Sequence, residues 1–169
     1  MPEKKINSKL VELSTSVLDN DKINDFLDFV SFLINNELSL QNKSTYSWWV
    51  SYKKARICTI NLYGKIRYKP DGSWSIYPKG EFFTEYDKYV IDADVRKLIL
   101  NSLNFNLCDK CKGDGCANFE KRQYRTTIFG KNCNSICSGF PIIIINPCGQ
   151  SLENAKHLAL ITKNIIADI

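Results

Sequence analysis

Apolar residues recur along the first third of the chain at helical spacing. Ile6, Leu10, Leu13 and Val17 fall at i, i+4, i+7 and i+11, which sets them on one helical face. Asp19-Asn20-Asp21 follows, with oxygens suited to a helix's first free N–H groups and charge suited to its positive end. From Lys22 to Asn36 a second stripe runs through Ile23, Phe26, Leu27, Val30, Leu33 and Ile34, widened by Phe29 and Phe32. A stripe this broad predicts a helix largely covered by a partner. Asn42 to Ser44 reads as a loop.

Beyond that loop the period becomes two. Trp48, Val50 and Tyr52 share one strand face, Cys58, Ile60 and Leu62 another, and Trp74 and Ile76 a third. Lys54-Ala55 and Pro70-Asp71-Gly72 read as turns, and Gly64 ends or bulges a strand. The pattern predicts an antiparallel meander from about Tyr46 to Tyr77. Asp92 to Asn104 returns to helical spacing through Val95, Leu98, Ile99 and Leu103, with Asp92 or Asp94 as cap. Residues 105–139 read as irregular and glycine-bearing. Phe140 to Asn146, with four consecutive isoleucines, reads as a buried strand. Pro147 and Gly149 break it, and Ser151 caps a closing helix from Leu152 to Ile166.

The expected fold is α+β: an antiparallel β-meander packed against N- and C-terminal helices, with a Cys-rich, zinc-knuckle-like insertion. One domain spans 1–169, made of a helical pair (1–38), the meander plus a helix (45–104), the insertion (105–139), and a strand with the closing helix (140–169). At 169 residues, with 44% hydrophobic and 24% charged residues, composition excludes disordered, collagen-like and coiled-coil chains. Met1 to Leu10 lacks the apolar run of a signal peptide. Ile142 to Ile145 falls far short of the ~18 apolar residues of a membrane span. These features predict a cytoplasmic protein with no membrane partner, in which thiols stay reduced. Charge is uneven: residues 1–44 carry five Lys and seven acids, net −2, leaving 45–169 with +7 of the total +5.

Five of the seven cysteines fall between positions 108 and 137. In Cys108-Asp-Lys-Cys111-Lys-Gly-Asp-Gly-Cys116, two intervening residues let the first two sulfurs point at one ion from a tight turn. Gly113 and Gly115 supply the positive φ such turns need. Thiolates suit Zn²⁺, which takes four ligands in a tetrahedron. Cys108, Cys111 and Cys116 provide three, and Cys137 or Cys133 the fourth, across a loop whose Lys121, Arg122 and Arg125 offset the thiolate charge. An iron–sulfur cluster is the rival occupant, but neither ferredoxin spacing is present. A thioredoxin-like pair is disfavoured, because that motif opens a helix after a strand. Cys58 alternates in phase with core residues, and Cys148 falls in a turn with no role assigned.

Two resemblances rest on these residues. Cys108-Asp109-Lys110-Cys111-Lys112-Gly113-Asp114-Gly115 is similar to the C-x-x-C-x-G-x-G repeat of J-type chaperone zinc domains, present here in one copy with a loose echo at Cys133 to Gly139. That family pairs four copies on two zinc ions, so the likeness implies a thiolate knuckle and not a chaperone. From Trp48 to Ile169 the chain resembles an uncharacterised bacterial Cys-rich family of unknown function. The resemblance rests on the aromatic meander, Trp74-Ser75-Ile76, Phe83-Thr84-Glu85-Tyr86, the cysteines, Thr127-Ile128-Phe129-Gly130-Lys131, Asn146-Pro147 and the closing helix. In that pattern a cysteine stands where Cys137 does, which favours Cys137 over Cys133 as fourth ligand. It implies no activity or partner.

Outside the cysteines, Trp48, Trp49, Trp74, Tyr77 and Phe83, joined by Phe82 and Tyr86, suit an apolar pocket wall, with Glu81, Glu85 or Asp87 meeting a cationic ligand. The plainer reading of such aromatics is core. Trp48, Trp49, Tyr52, Lys53, Lys54, Arg56, Tyr63, Lys65, Arg67, Tyr68 and Lys69 mix rings with positive charge, as surfaces that bind nucleic acid do. A basic solvated sheet face is the plainer reading of them, and no recognition motif accompanies them. The single histidine, His157, has no second histidine to work with, and no phosphate-binding glycine motif is present. The function expected is therefore a non-enzymatic, zinc-stabilised module for a small ligand or protein partner. Nucleic-acid binding is the alternative, and a thiol-redox or metal enzyme the least favoured.

Overall fold

The computed structural model describes residues 8–63, 72–103, 123–137 and 141–168. Helices α1 (Ser8–Val17) and α2 (Asn20–Asn35) lead into strands β1 (Ser39–Ser44), β2 (Ser47–Tyr52), β3 (Ala55–Tyr63) and β4 (Ser73–Pro78). A 3-10 turn (Gly80–Phe82), α3 (Tyr86–Tyr89) and α4 (Ala93–Asn101) follow, then β5 (Gln123–Ile128), β6 (Lys131–Cys137), β7 (Ile144–Ile145) and α5 (Gly149–Asp168). The main sheet is antiparallel in the order β1-β2-β3-β4-β7, and β5-β6 is a separate hairpin. The fold is α+β, a meander between N- and C-terminal helices.

Alternation along the meander separates its two faces. Trp48, Val50, Cys58, Ile60, Leu62, Trp74 and Ile76 are buried together. Trp74 meets Phe26 of α2 edge-on, with ring centroids 5.4 Å apart, and Phe29 at 5.7 Å. Burial of a large aromatic side chain contributes roughly 1.5–3 kcal/mol. From the other end of the chain, α5 lays Ala155, Leu158 and Ala159 beside Cys58 and Ile76. Lys156 ties α5 to α2 by donating to Asp28 at 2.7 Å, and it also pairs with Glu153 at 2.7 Å. Burial works against its charge, but the two carboxylates outweigh it and raise its pKa.

Element ends follow local chemistry. Asp92, not Asp94, caps α4: its Oδ1 accepts from Asp94 N–H at 2.8 Å and Val95 N–H at 3.0 Å. These bonds, Val95's foremost, hold the Asp92 carboxyl below the usual range. Asp19 stands at the cap of α2 without a capping bond; its carboxylate takes Lys22 instead. A Cβ at Gly72 (φ +71°) would collide with that carboxylate.

Three elements differ from the sequence expectation. Asn42 to Ser44 belongs to strand β1, an edge strand whose one apolar residue, Leu40, leaves its composition without alternation. Residues 123–137, expected as irregular, form a hairpin turning at Phe129 (φ 50°) and Gly130 (φ 72°). The isoleucine run does not lie in one ladder. Ile142 bridges Leu103 and Ile143 N–H donates to Ser102 O at 2.9 Å, after which only Ile144 and Ile145 pair with β4. Asn146 (φ 43°) ends that pairing, its N–H donating to Trp74 O while its Oδ1 accepts from Trp74 N–H at 2.8 Å. Helix α5 starts at Gly149, so Ser151 stands in its first turn, accepting there from Cys148 N–H at 2.9 Å. No helix among the described residues is long and apolar enough to cross a membrane.

Candidate functional site

The β5–β6 hairpin carries the two described cysteines of the cluster. Cys108, Cys111 and Cys116 lie outside the described residues, as do Gly113 and Gly115. Among the described residues no three His, Cys, Asp or Glu side chains gather as a metal site. On β6, Cys133 stands opposite Thr126 and Cys137 opposite Gln123. A register shift falls between them, so their cross-strand partners are three residues apart, about 10 Å of strand.

Their surroundings differ. Cys133 is 1% exposed and joins Ile128 and Ile136 in the core. Its S–H donates to Lys131 O at 3.5 Å, and burial pushes its thiol pKa up against the opposing Lys131 charge. Cys137 is 8% exposed and lies outside the core cluster, at the open end of the hairpin. Its cross-strand neighbour Gln123 is the first described residue after 104–122, the stretch holding the other three cysteines. The opposite end of the hairpin is anchored. Phe129 N–H donates to Asp87, and the Arg96 guanidinium lies 5.1 Å over the Phe129 ring while its Nε donates to Val90 O at 2.7 Å. Neither Asp87 nor Arg96 carries a sequence signal for this role, because the contact joins residues far apart in the chain.

Burial sorts the residues expected at an aromatic pocket. Trp48 (4% exposed), Trp74 (0%) and Phe83 (1%) are core side chains, packed between sheet and helices. Glu85 is half-buried before α3 and pairs with Lys88 at 3.2 Å. Trp49 and Tyr77 are half-buried and go to the opposite sheet face, in a cross-strand row of Gln41, Trp49, Thr59 and Tyr77.

On that face Trp49 is flanked by cations from both neighbouring strands. Lys43 Nζ of β1 lies 5.5 Å from the indole centroid and the Arg56 guanidinium of β3 lies 5.7 Å from it. Trp49 Nε1 is shielded and has no hydrogen-bond partner among the described residues. Lys43 was hidden from the sequence pattern because its strand reads as a loop. Lys53 and Lys54, both at positive φ, form the tight turn between β2 and β3 and are exposed. Lys65, Arg67 and Lys69 lie outside the described residues.

Among the described residues, no catalytic grouping forms around the remaining candidates. His157 is exposed on α5. Cys58 is buried and its thiol pKa is pushed up to about 12 by desolvation, so it is no nucleophile at neutral pH. It lines a small apolar cavity with Thr162, whose hydroxyl donates to Leu158 O at 2.8 Å and accepts from the buried Tyr86 at 3.0 Å. Cys148 is exposed and unpaired with any other cysteine. No family model, curated protein or solved structure matches the chain.

Proposed function

We propose that the chain is a non-enzymatic binding module whose cysteine segment is closed by a structural zinc ion held by Cys108, Cys111, Cys116 and Cys137. The observation that carries this reading is the pairing of Cys137 with Gln123 at the open end of the hairpin. It sets one thiol beside the point where the three-cysteine stretch rejoins the fold, while Cys133 is turned into apolar packing some 10 Å along the strand. Four thiolates complete the zinc tetrahedron and leave no position for a substrate, so the ion's work is structural. Its binding energy then orders a stretch poor in apolar side chains. A reducing cytoplasmic setting keeps such thiols available.

The binding surface we assign is the outer sheet face around Trp49, since Trp48, Trp74 and Phe83 are spent on the core. Hydrogen exchange tests the metal reading. Adding a chelator under reducing conditions is expected to deprotect the open end of β5–β6 while the β2–β4 ladder keeps its protection. Unchanged exchange at Gln123 and Cys137 would contradict it. Visible absorption from the purified protein would indicate the iron–sulfur occupant instead.

A further inference from the structure

Between Glu37 and Asp71 the chain carries seven Lys and Arg residues and no acid. The described part of that stretch is β1 to β3, the half of the sheet that holds Trp49. Its cations Lys43 and Arg56 stand on the two strands flanking β2, and Lys53 and Lys54 lie in the turn just beyond. Lys43, Lys53 and Lys54 are exposed, and Arg56 and Trp49 are half-exposed.

We infer that this face binds single-stranded nucleic acid, a base stacking on the Trp49 indole while Lys43 and Arg56 meet the phosphates on either side of it. The inference rests on the outer sheet face being the binding surface assigned above. A positive surface that tracks the backbone, with an aromatic platform within it, is the pairing of features that single strands use. Long cationic side chains lying over a ring swing readily to a phosphate, and Arg56 can also remain stacked against the bound base. Duplex fits less well: its bases are closed within the stack, and the face offers no protruding helix to enter a groove. An acidic protein surface would answer the charge but leave the flat indole unused. A small ligand would want concavity, and the cavity beside Cys58 lies on the sheet's other side.

The test titrates the full-length, zinc-replete chain with a short fluorescein-labelled oligothymidylate, read by anisotropy at low and rising salt. Binding is expected at low salt and to weaken steeply as salt rises. Trp49→Ala should weaken it by about tenfold or more, with Trp49→Phe restoring most of the loss because a phenyl ring still stacks. Lys43→Gln and Arg56→Gln, exchanges at the surface that spare the core, should each lower the slope of log affinity against log salt by roughly 0.7. Absence of binding by the zinc-replete chain at low salt would overturn the inference. So would affinity indifferent to Trp49, equal affinity for duplex of the same sequence, or equally strong competition by polyglutamate. Repeating the titration with Cys137→Ser separates the two readings. Retained binding by a metal-free chain removes the zinc requirement and leaves the surface standing; a zinc-loaded chain that ignores the oligonucleotide removes the surface alone.

Discussion

One step along β2 separates Trp48, which packs into the core, from Trp49, which lies half-exposed between two cations. Alternation alone dictates that split, and it was readable from Trp48, Val50 and Tyr52 sharing a face. What could not be read was how many rings the core would take. Trp74 went inward because Phe26 and Phe29 of a distant helix meet the sheet there, a contact with no local signature. Cys58 was legible as core, and its burial has a consequence in pH. Its thiol pKa rises from 9.0 to about 12 on folding, and Tyr86 shifts upward too, chiefly by burial, despite the Thr162 bond. Above pH 9 the unfolded chain releases the Cys58 proton while the folded chain keeps it. The native state then binds more protons than the unfolded state, so stability falls as pH rises through the window from about 9 to 12. Denaturant unfolding should show a loss approaching about 1.4 kcal/mol per pH unit from this group, with a shallower decline in Cys58→Val. Identical declines in the two proteins would show that Cys58 is not the source.

Helix α2 shows how an element can be correctly anticipated and still end in an unfavourable way. Its apolar stripe was plain from Ile23 to Ile34, and Phe26, Phe29, Val30 and Leu33 are the residues it buries. It closes with Leu38 N–H donating to Leu33 O and Glu37 N–H to Ile34 O, a Schellman ending. Glu37 holds the left-handed position at φ 64°, where a side chain is disfavoured and glycine is not. Glu37→Gly is expected to stabilise the protein by about 1 kcal/mol. The ion pair lost with Lys163, at 3.6 Å and exposed on the glutamate side, offsets little of that. A melting temperature unchanged or lowered would contradict the assignment. The hairpin and β1 were illegible for different reasons. The β1 strand is a polar edge held by its pairing with β2. Strands β5 and β6 combine a central bulge between Tyr124 and Thr126 with anchoring by the distant Asp87 and Arg96.

Across the whole molecule, helices from the first and last parts of the chain close on one another. Lys156 and Lys163 of α5 reach Asp28 midway along α2 and the Asn36 carbonyl at its end, so the two helices are clasped together over the core face of the sheet. The hairpin stands apart from that clasp, tied at its turn to α3 and α4 and ending at Cys137 on the far side. The cysteine spacing pointed to a thiolate centre but left Cys133 and Cys137 as rivals, because spacing carries no register. Register and burial separate them, and the zinc reading stands on that separation. The most direct measurement is elemental analysis of protein purified under reducing conditions, comparing the natural chain with Cys137→Ser and Cys133→Ala. About one zinc per chain is expected in the natural protein and in Cys133→Ala, falling below about half in Cys137→Ser. Less than about half an equivalent in the natural chain, or a loss that follows Cys133 instead of Cys137, would contradict it.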